Sequence, residues 1–226
     1  MQVTEIYASL QGESSYAGLP CIFVRLAGCN LRCDWCDSEY TFTGGRKMTV
    51  DDVEAGVRKL APVKLVEITG GEPMLQEEEV LELMRRLLAA DYTILLETSG
   101  ERPLAKVPKE VVKVVDVKCP HSGEANTFRM ENLAALTPRD EVKFVLSDRT
   151  DYEFARDFTR EHGLAGRVGS VIFSPAFRKD ATGARNASHC LLDPQELAAW
   201  ILADGLPVRL GLQIHKFIWA PETQGV

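Results

Sequence analysis

Hydrophobic positions follow a helical period in some segments of the chain and form nearly continuous runs in others. Val53, Val57 and Leu60 share one helical face. A longer helix is predicted by an apolar stripe of Val80, Leu83, Met84, Leu87 and Leu88. Runs of aliphatic and β-branched residues predict strands at 64–69, 92–97, 111–117 and 142–146, with helices between and after the last two.

The same alternation extends towards both ends of the sequence. Phe154 and Phe158 mark the inner face of a helix that stops near Gly163. Another helix after Pro194 is marked by Leu197, Trp200 and Ile201. Further strands are predicted at 171–173, 208–214 and 21–26.

A repeated βα rhythm predicts an α/β fold, either a doubly wound sheet or a complete or partial barrel. No linker or low-complexity tract divides the sequence, so residues 1–226 are expected to form one domain. Both architectures place functional groups in the loops after the strands. Five notable residues directly follow predicted strands and are expected to share one mouth: Cys29, Gly70, Thr98, Lys118 and Ser174.

Composition narrows the classes of partner. The chain has 226 residues, 45% hydrophobic and 26% charged, which is enough for a full core without disulfide or metal staples. A formal charge of -7 repels polyphosphate, so a small-molecule partner is expected rather than nucleic acid. No apolar run approaches the ~20 residues that cross a bilayer, and no basic segment precedes an apolar one near Met1, so we expect a cytoplasmic protein without membrane association.

Three of the six cysteines, Cys29, Cys33 and Cys36, lie in one short segment. In a reducing compartment this spacing favours a metal site over disulfides. Structural zinc takes four protein ligands, and no second Cys-x-x-Cys pair exists, although a fourth ligand could come from His121, His162, His189 or His215. An iron–sulfur cube held by three thiolates leaves one iron open to a chelating ligand. The spacing favours the cube and leaves zinc or a purely structural cluster as alternatives.

The Cys-x3-Cys-x2-Cys spacing, with Trp35 before the last cysteine, resembles the signature of the radical S-adenosylmethionine superfamily. The Thr-Gly-Gly-Glu-Pro segment at 69–73 resembles its glycine-rich motif, in which glycines allow close backbone approach to a ligand. This resemblance implies a partial (incomplete) TIM-like barrel of about six parallel strands with outer helices. It also implies a [4Fe–4S] cluster on Cys29, Cys33 and Cys36 and S-adenosylmethionine as the second cofactor.

The resemblance further implies which residues hold S-adenosylmethionine. The glycine-rich motif receives the methionine moiety, with the glutamate pairing with its ammonium, and later strand ends hold the ribose and adenine. The implied residues are Trp35, Cys36, Asp37, Gly70, Gly71, Glu72, Ser99, Asp116, Val117, Lys118 and Ser174. The remaining cysteines, Cys21, Cys119 and Cys190, lack the spacing and are interpreted as packing residues.

Three more features resemble the 7-carboxy-7-deazaguanine synthase family. They are Ser-Leu-Gln-Gly-Glu at 9–13 followed by Arg25, Cys-Asp-Ser at 36–38, and Gln-Ile-His-Lys at 213–216. This family is a group of lyases of 7-deazapurine and queuosine biosynthesis that contract 6-carboxy-5,6,7,8-tetrahydropterin to 7-carboxy-7-deazaguanine with loss of ammonia. The implied substrate-binding residues are Leu10, Gln11, Gly12, Glu13, Arg25, Thr69 and His215.

The family resemblance also implies a magnesium ion on the hydroxyl of Ser38, where the family usually has threonine, together with substrate oxygens and water. It implies a homodimer and a flavodoxin-like electron donor. In the implied mechanism a 5′-deoxyadenosyl radical takes a hydrogen from the carboxylate-bearing carbon and later returns it, so that S-adenosylmethionine is regenerated.

Other interpretations remain open at this point. A glycyl-radical activase shares the cluster but has no need of Gln11, Glu13 and Arg25. A zinc-stabilised binding module would use the thiols only to staple a loop. Without the cysteines, Gln11 and Glu13 fit an exposed turn, and Arg25 fits a surface ion pair.

Overall fold

One mixed β-sheet forms the centre of the molecule. The computed structural model describes residues 1–178, 187–220 and 223–225. The strands are β1 (Gln2–Leu10), β2 (Pro20–Leu26), β3 (Arg46–Lys47), β4 (Leu65–Gly70), β5 (Thr93–Thr98), β6 (Val112–Asp116), β7 (Glu141–Leu146), β8 (Ser170–Pro175) and β9 (Arg209–Leu210). Within the described residues they pair in the order β3-β1-β2-β4-β5-β6-β7-β8-β9.

The sheet is parallel from β2 to β9 and open at its ends. Neighbours in this range pair in parallel, whereas β1 runs antiparallel to both β2 and β3. The terminal strands β3 and β9 each have one neighbour, so the barrel is not closed. The prediction of a partial barrel with about six parallel strands is confirmed: β2, β4, β5, β6, β7 and β8 are the long ones.

The α-helices are α1 (Val50–Arg58), α2 (Glu77–Ala89), α3 (Arg149–Glu161), α4 (Leu164–Arg167), α5 (Pro194–Asp204) and α6 (His215–Ile218). Thr49 and Asp52 form a reciprocal capping box that begins α1. The predicted stripe of α2 is confirmed, because its residues Val80, Leu83 and Met84 are fully buried. No helix in the described part of the chain is long and apolar enough to span a bilayer.

Successive residues of the parallel strands face opposite sides of the sheet. Ile22 and Val24 of β2 pack with helix residues in the large core. The alternate residues of the same strand face a small second core, formed by Cys21, Phe23, Leu65, Leu95 and Val112. These residues lie towards the amino ends of their strands, so this small core closes the bottom of the concave face and leaves the carboxyl ends for polar groups.

Three features differ from the sequence-based predictions. Strand β1 was not predicted, because Thr4, Glu5 and Ser9 interrupt its apolar pattern. The predicted strand 208–214 is wrong beyond β9: Gly211 lies against β8 so closely that a Cβ there would be 2.6 Å from Ser174 Oγ, and the chain then leaves the sheet. The predicted helix between β6 and β7 is replaced by two short 3-10 helices, Pro120–Ser122 and Met130–Ala135.

A buried ion pair joins β6 to the start of β7. The Lys113 ammonium lies 3.0 Å from Asp140 Oδ2, and the side chains are 1% and 0% exposed. Asp140 also accepts hydrogen bonds from the backbone N–H groups of Lys113 (2.8 Å) and Thr137 (2.7 Å). Because removal of one partner leaves an unpaired buried charge, the Asp140 carboxylate is expected to stabilise the fold strongly.

We expect Asp140→Ala to lower the free energy of unfolding by about 3–5 kcal/mol, since it leaves the Lys113 ammonium and two backbone donors without partners. Urea denaturation followed by circular dichroism measures the loss. Lys113→Met should cost less, because Asp140 keeps its backbone donors, and Arg58→Met in the exposed Arg58–Glu54 pair should cost least. Equal stabilities of Asp140→Ala and Arg58→Met would contradict this account.

Candidate active site

A cavity of about 270 Å³ opens at the carboxyl ends of the parallel strands. Its lining includes every site residue predicted from the sequence except Val117 and Ser174. Val117 and Ser174 are buried, and their assignment to S-adenosylmethionine stays a prediction. The expected common mouth therefore collects four of the five strand-end residues: Cys29, Gly70, Thr98 and Lys118.

The cysteine loop forms one side of the cavity. Cys29, Cys33 and Cys36 are half-buried and face it together. Burial raises the pKa of Cys36 to about 11 and raises the pKa of the other two thiols, so iron must displace their protons on binding. The loop is held from outside by a hydrogen bond from Asp34 N to Ser122 O, 2.9 Å long.

The three cysteines offer thiolate ligands to a metal centre on one loop. A structural zinc ion takes four protein ligands. An iron–sulfur cube with one open iron takes three thiolates, so the donor set of Cys29, Cys33 and Cys36 fits the cluster.

The glycine-rich turn packs directly against the cysteine loop. Gly70 has φ +136, and a Cβ on Gly71 would lie 2.1 Å from Gly28 O and 2.8 Å from Cys29 Cβ. Glu72 N donates to Gly28 O over 2.9 Å. A side chain at position 71 would therefore separate the turn from the loop, which gives the second glycine a steric reason.

Glu72 is 1% exposed, and protein donors occupy both oxygens of its carboxylate. Oε1 accepts from Met74 N (3.0 Å) and Thr98 Oγ1 (2.8 Å), and Oε2 accepts from Ser99 N (2.9 Å) and Ser99 Oγ (2.8 Å). The carboxylate thus ties the glycine-rich turn to the end of β5. Its predicted pairing with the ammonium of S-adenosylmethionine stays a prediction, and the ammonium would have to share or replace one of these four bonds.

Gln11 and Glu13 enter the concave face of the sheet. Gln11 is 2% exposed, so the exposed-turn interpretation is wrong for it. Its Nε2 donates to the Glu67 carboxylate, and its Oε1 accepts from Glu13 N at 3.1 Å. The loop that carries Gln11 and Glu13 is also held by Glu141, which accepts from Ser15 N at 3.1 Å.

A cluster of charged side chains surrounds Glu13. Lys143 Nζ lies 2.6 Å from Glu13 Oε2, 2.5 Å from Glu97 Oε1 and 3.9 Å from Asp116 Oδ2. Burial raises the pKa of Glu13, but the Lys143 ammonium outweighs it and, with His215 and Gln213, lowers the pKa to about 2. Glu13 is therefore ionised at neutral pH.

The carboxyl-terminal segment completes this side of the cavity. Ile214 N donates to Gly12 O (2.9 Å), and Gln213 Nε2 donates to Glu13 Oε1 (2.6 Å). A Cβ on Gly12 would lie 2.0 Å from His215 Nδ1, so only glycine admits the imidazole here. Burial lowers the pKa of His215, which leaves the ring neutral at pH 7 and able both to donate and to accept a hydrogen bond.

Arg25 is part of a largely buried network, not of a surface ion pair. Its side chain is 15% exposed, and its Nε lies 2.8 Å from Glu5 Oε1. Its Nη2 donates to the Tyr7 hydroxyl over 2.8 Å, and Tyr40 donates to the same Glu5 oxygen over 3.0 Å. The guanidinium has five N–H donors, so these two bonds leave donors for a ligand in the cavity.

Ser38 lies on the cavity wall beyond the last cysteine. Its hydroxyl donates to Asp37 Oδ1 over 2.9 Å, and Asp37 pairs with Lys216 at 2.7 Å. Because the hydroxyl proton is used by Asp37, the oxygen lone pairs of Ser38 remain available to a cation. The ion pair also links the cysteine loop to the carboxyl-terminal segment.

Polar residues of the cavity that were not among the predicted site residues include Glu67, Glu97, Lys143, Gln213 and Lys216. Of these, Gln213 and Lys216 lie in the motif at 213–216. Glu67 and Lys143 each interrupt an otherwise apolar predicted strand, and Glu97 is the last residue of another. A charge inside a strand that is covered on both faces costs free energy unless it is paired. These charged residues in strands were the signal from which the sequence could have predicted them as site residues. Glu67, Glu97 and Lys143 form a layer of polar side chains on the concave face, called here the polar layer.

Comparisons with known proteins show the family to which the chain belongs. Residues 24–118 match the family model of the Radical SAM superfamily. The 7-carboxy-7-deazaguanine synthase of Koribacter versatilis is 72% identical over 226 residues, which is 100% of each chain. The 7-carboxy-7-deazaguanine synthase of Chlorobaculum tepidum is 41% identical over 100% of this chain and 97% of its own.

Solved structures show the same fold. The crystal structure of QueE from Escherichia coli superposes with a TM-score of 0.72 at 22% identity, over 93% of this chain and 92% of that one. Streptococcus suis SuiB, bound to its precursor peptide SuiA, superposes with a TM-score of 0.57 at 12% identity, over 83% of this chain and 47% of that one. On the strength of the full-length identity to the Koribacter relative, the chain belongs to the 7-carboxy-7-deazaguanine synthase family of radical S-adenosylmethionine enzymes.

Proposed function

We propose that the cavity is the active site in which the chain, a radical S-adenosylmethionine lyase, converts 6-carboxy-5,6,7,8-tetrahydropterin to 7-carboxy-7-deazaguanine and ammonia. One observation carries the proposal. The three thiols of the cysteine loop open onto the same enclosed space as the buried Gln11, the ionised Glu13 and the neutral His215. A group that generates a radical and a site for a flat donor–acceptor heterocycle therefore share one compartment.

The cofactors of the superfamily are a [4Fe–4S] cluster and S-adenosylmethionine, and together they supply the radical that removes a hydrogen from the substrate. Cys29, Cys33 and Cys36 would hold the cluster. Asp116 Oδ1 is buried without a hydrogen-bond partner and belongs to a residue of the cavity wall. Since an unsatisfied buried acceptor calls for a donor, Asp116 suits a ribose hydroxyl.

The substrate residues bind and orient the pterin. The ionised Glu13 accepts hydrogen bonds from the amino and amide N–H groups of the heterocycle, and Gln11 holds the Glu13 backbone in place. Arg25 offers its remaining donors to the substrate carboxylate or carbonyl. The neutral His215 and Thr69 complete the wall, which excludes water from a reactive intermediate.

Ser38 is proposed to bind magnesium together with substrate oxygens and water. The free lone pairs of its hydroxyl support this, and so does the habit of Mg²⁺ of taking few protein ligands. The ion would polarise the substrate carboxylate.

Family membership supports four further proposals. The protein works as a homodimer, receives electrons from a flavodoxin-like donor on the cysteine side of the mouth, and acts in the cytoplasm. Residues 1–226 form one domain, which the continuous sheet supports.

Cys33→Ala removes one of the three thiolates and is expected to abolish cluster binding and turnover. Anaerobic reconstitution should give about four irons per chain and visible sulfur-to-iron absorption in the unsubstituted protein, but not in the variant. Cys190→Ala is the matched control, because Cys190 is a buried thiol outside the cavity wall. A colourless unsubstituted protein with a single zinc ion would rule out the radical mechanism.

Arg25→Met is expected to raise the KM for the carboxypterin by about 10- to 100-fold, because a charge-assisted hydrogen bond to the substrate is lost. Iron content and affinity for S-adenosylmethionine should stay unchanged. Mass spectrometry of the product, which has lost one ammonia, follows turnover. Arg58→Met on the outer helix α1 controls for loss of an arginine, and an unaltered KM in Arg25→Met would remove this residue from the substrate site.

Ser38→Ala is expected to remove the dependence of the rate on magnesium concentration, while Ser38→Thr, which restores a hydroxyl, should keep it. Titrating Mg²⁺ into each reconstituted variant measures the effect, and iron content checks that the neighbouring Cys36 still binds the cluster. Magnesium stimulation that persists in Ser38→Ala would place the ion elsewhere.

A further inference from the structure

Lys143 is the cation at the centre of the polar layer. It lies on β7 with a side chain that is 3% exposed. Its ammonium contacts carboxylates from three separate elements: Glu13 on the β1–β2 loop, Glu97 on β5 and Asp116 on β6. Sequence motifs did not single out Lys143, and the substrate and cofactor assignments above do not use it.

The carboxyl groups near Lys143 differ in the direction in which their pKa values are shifted. Glu97 faces Glu67, and burial together with this mutual repulsion raises the pKa of Glu67 well above its ordinary value. Burial also raises the pKa of Glu97, although Lys143 opposes it. Of these three groups only Glu13 has a lowered pKa. The ammonium therefore supports the ionised Glu13 carboxylate at a defined position.

Contacts from both sides fix the Glu13 carboxylate in orientation. Lys143 binds Oε2, and Gln213 Nε2 donates to Oε1 over 2.6 Å. A carboxylate held at one lone pair of each oxygen keeps its other lone pairs for a ligand. It can accept N–H groups from a heterocycle but repels a ligand edge that presents only acceptors.

We propose that Lys143 is a positioning residue for substrate recognition: it keeps Glu13 ionised and oriented, and so makes the cavity select a heterocycle with N–H donors at the edge that meets Glu13. This inference rests on the proposed substrate role of Glu13. Lys143 itself acts through Glu13 and does not touch the reacting atoms.

The chain contains a matched control for a buried lysine. Lys113 lies on the adjacent strand β6, is 1% exposed and pairs with the buried Asp140. It does not line the cavity. Lys113→Met and Lys143→Met therefore remove the same group from neighbouring strands of one sheet, and only the second reaches Glu13.

In the reconstituted holoenzyme with S-adenosylmethionine, Lys143→Met is expected to raise the KM for the carboxypterin by about 10- to 100-fold, with a much smaller change in kcat. Lys113→Met should lower the melting temperature and leave the KM unchanged. Glu13→Gln should raise the KM to a similar extent. The KM of the double variant Lys143→Met/Glu13→Gln should be no higher than that of the more impaired single variant, because both substitutions remove the same interaction.

The pH dependence separates positioning from a merely structural role. Without the ammonium, burial remains to raise the pKa of Glu13, so the ionised fraction of Glu13 falls as the pH is lowered. The ratio of variant to unsubstituted kcat/KM should therefore decline as the pH is lowered, because Glu13 stays ionised in the unsubstituted protein. The same profile in the Glu13→Gln background separates Glu13 from the other groups near it, which are Glu67, Glu97, Asp116, Lys118 and His215, since Lys143 also acts on Glu97 and Asp116.

One further variant, Lys143→Gln, and the Glu13→Gln background make the result decisive. Lys143→Gln keeps an N–H donor but not the charge, and it should show the same pH-dependent loss if Lys143→Met does not fold. The decline with pH should disappear in the Glu13→Gln background. A normal KM in Glu13→Gln would overturn the proposed substrate role of Glu13. A raised KM in Glu13→Gln with a normal KM in both Lys143 variants, or with full additivity in the double variant, would overturn the positioning role alone.

Discussion

The ion cluster around Lys143 is the constraint on which the concave face of the sheet depends. A buried ammonium must be paired, and its partners come from the β1–β2 loop, β5 and β6. Its position therefore fixes how deeply the loop with Glu13 enters the sheet. Below this polar layer, the small core that includes Cys21 and Phe23 closes the floor. Above it lies the mouth, where the cysteine loop can meet a ligand.

The two ends of the sequence are joined at this point. Gln213 and Glu13, 200 residues apart, share a hydrogen bond, and the Lys216–Asp37 ion pair continues the connection to the cysteine loop. Lys216 is also held by Gln213 Oε1 at 2.8 Å. The substrate side and the cluster side of the cavity are thus parts of one network.

The glycine-rich turn shows how a recognisable motif can have a structural role beside its binding role. Its glycines allow contact with the cysteine loop, and the Glu72 carboxylate locks the turn to Ser99. Rigid placement of the turn relative to Cys29 is what a ligand bridging cluster and backbone requires. The buried acceptor of Asp116 lies on the same cavity wall and offers a further contact.

The sequence by itself determined the family, the partial barrel and most of the cavity wall, because spacing within a loop and the ends of parallel strands are local features that short motifs report. It did not show β1, whose strand pairs through the backbone while its side chains mix polar and apolar types. Nor did it show that Glu72 is already fully hydrogen-bonded. Only the tertiary structure brought Glu13, Glu97 and Lys143 together, since their pairing depends on which side chains share the concave face. Burial and pairing on that face then set the pKa values of the carboxyl groups.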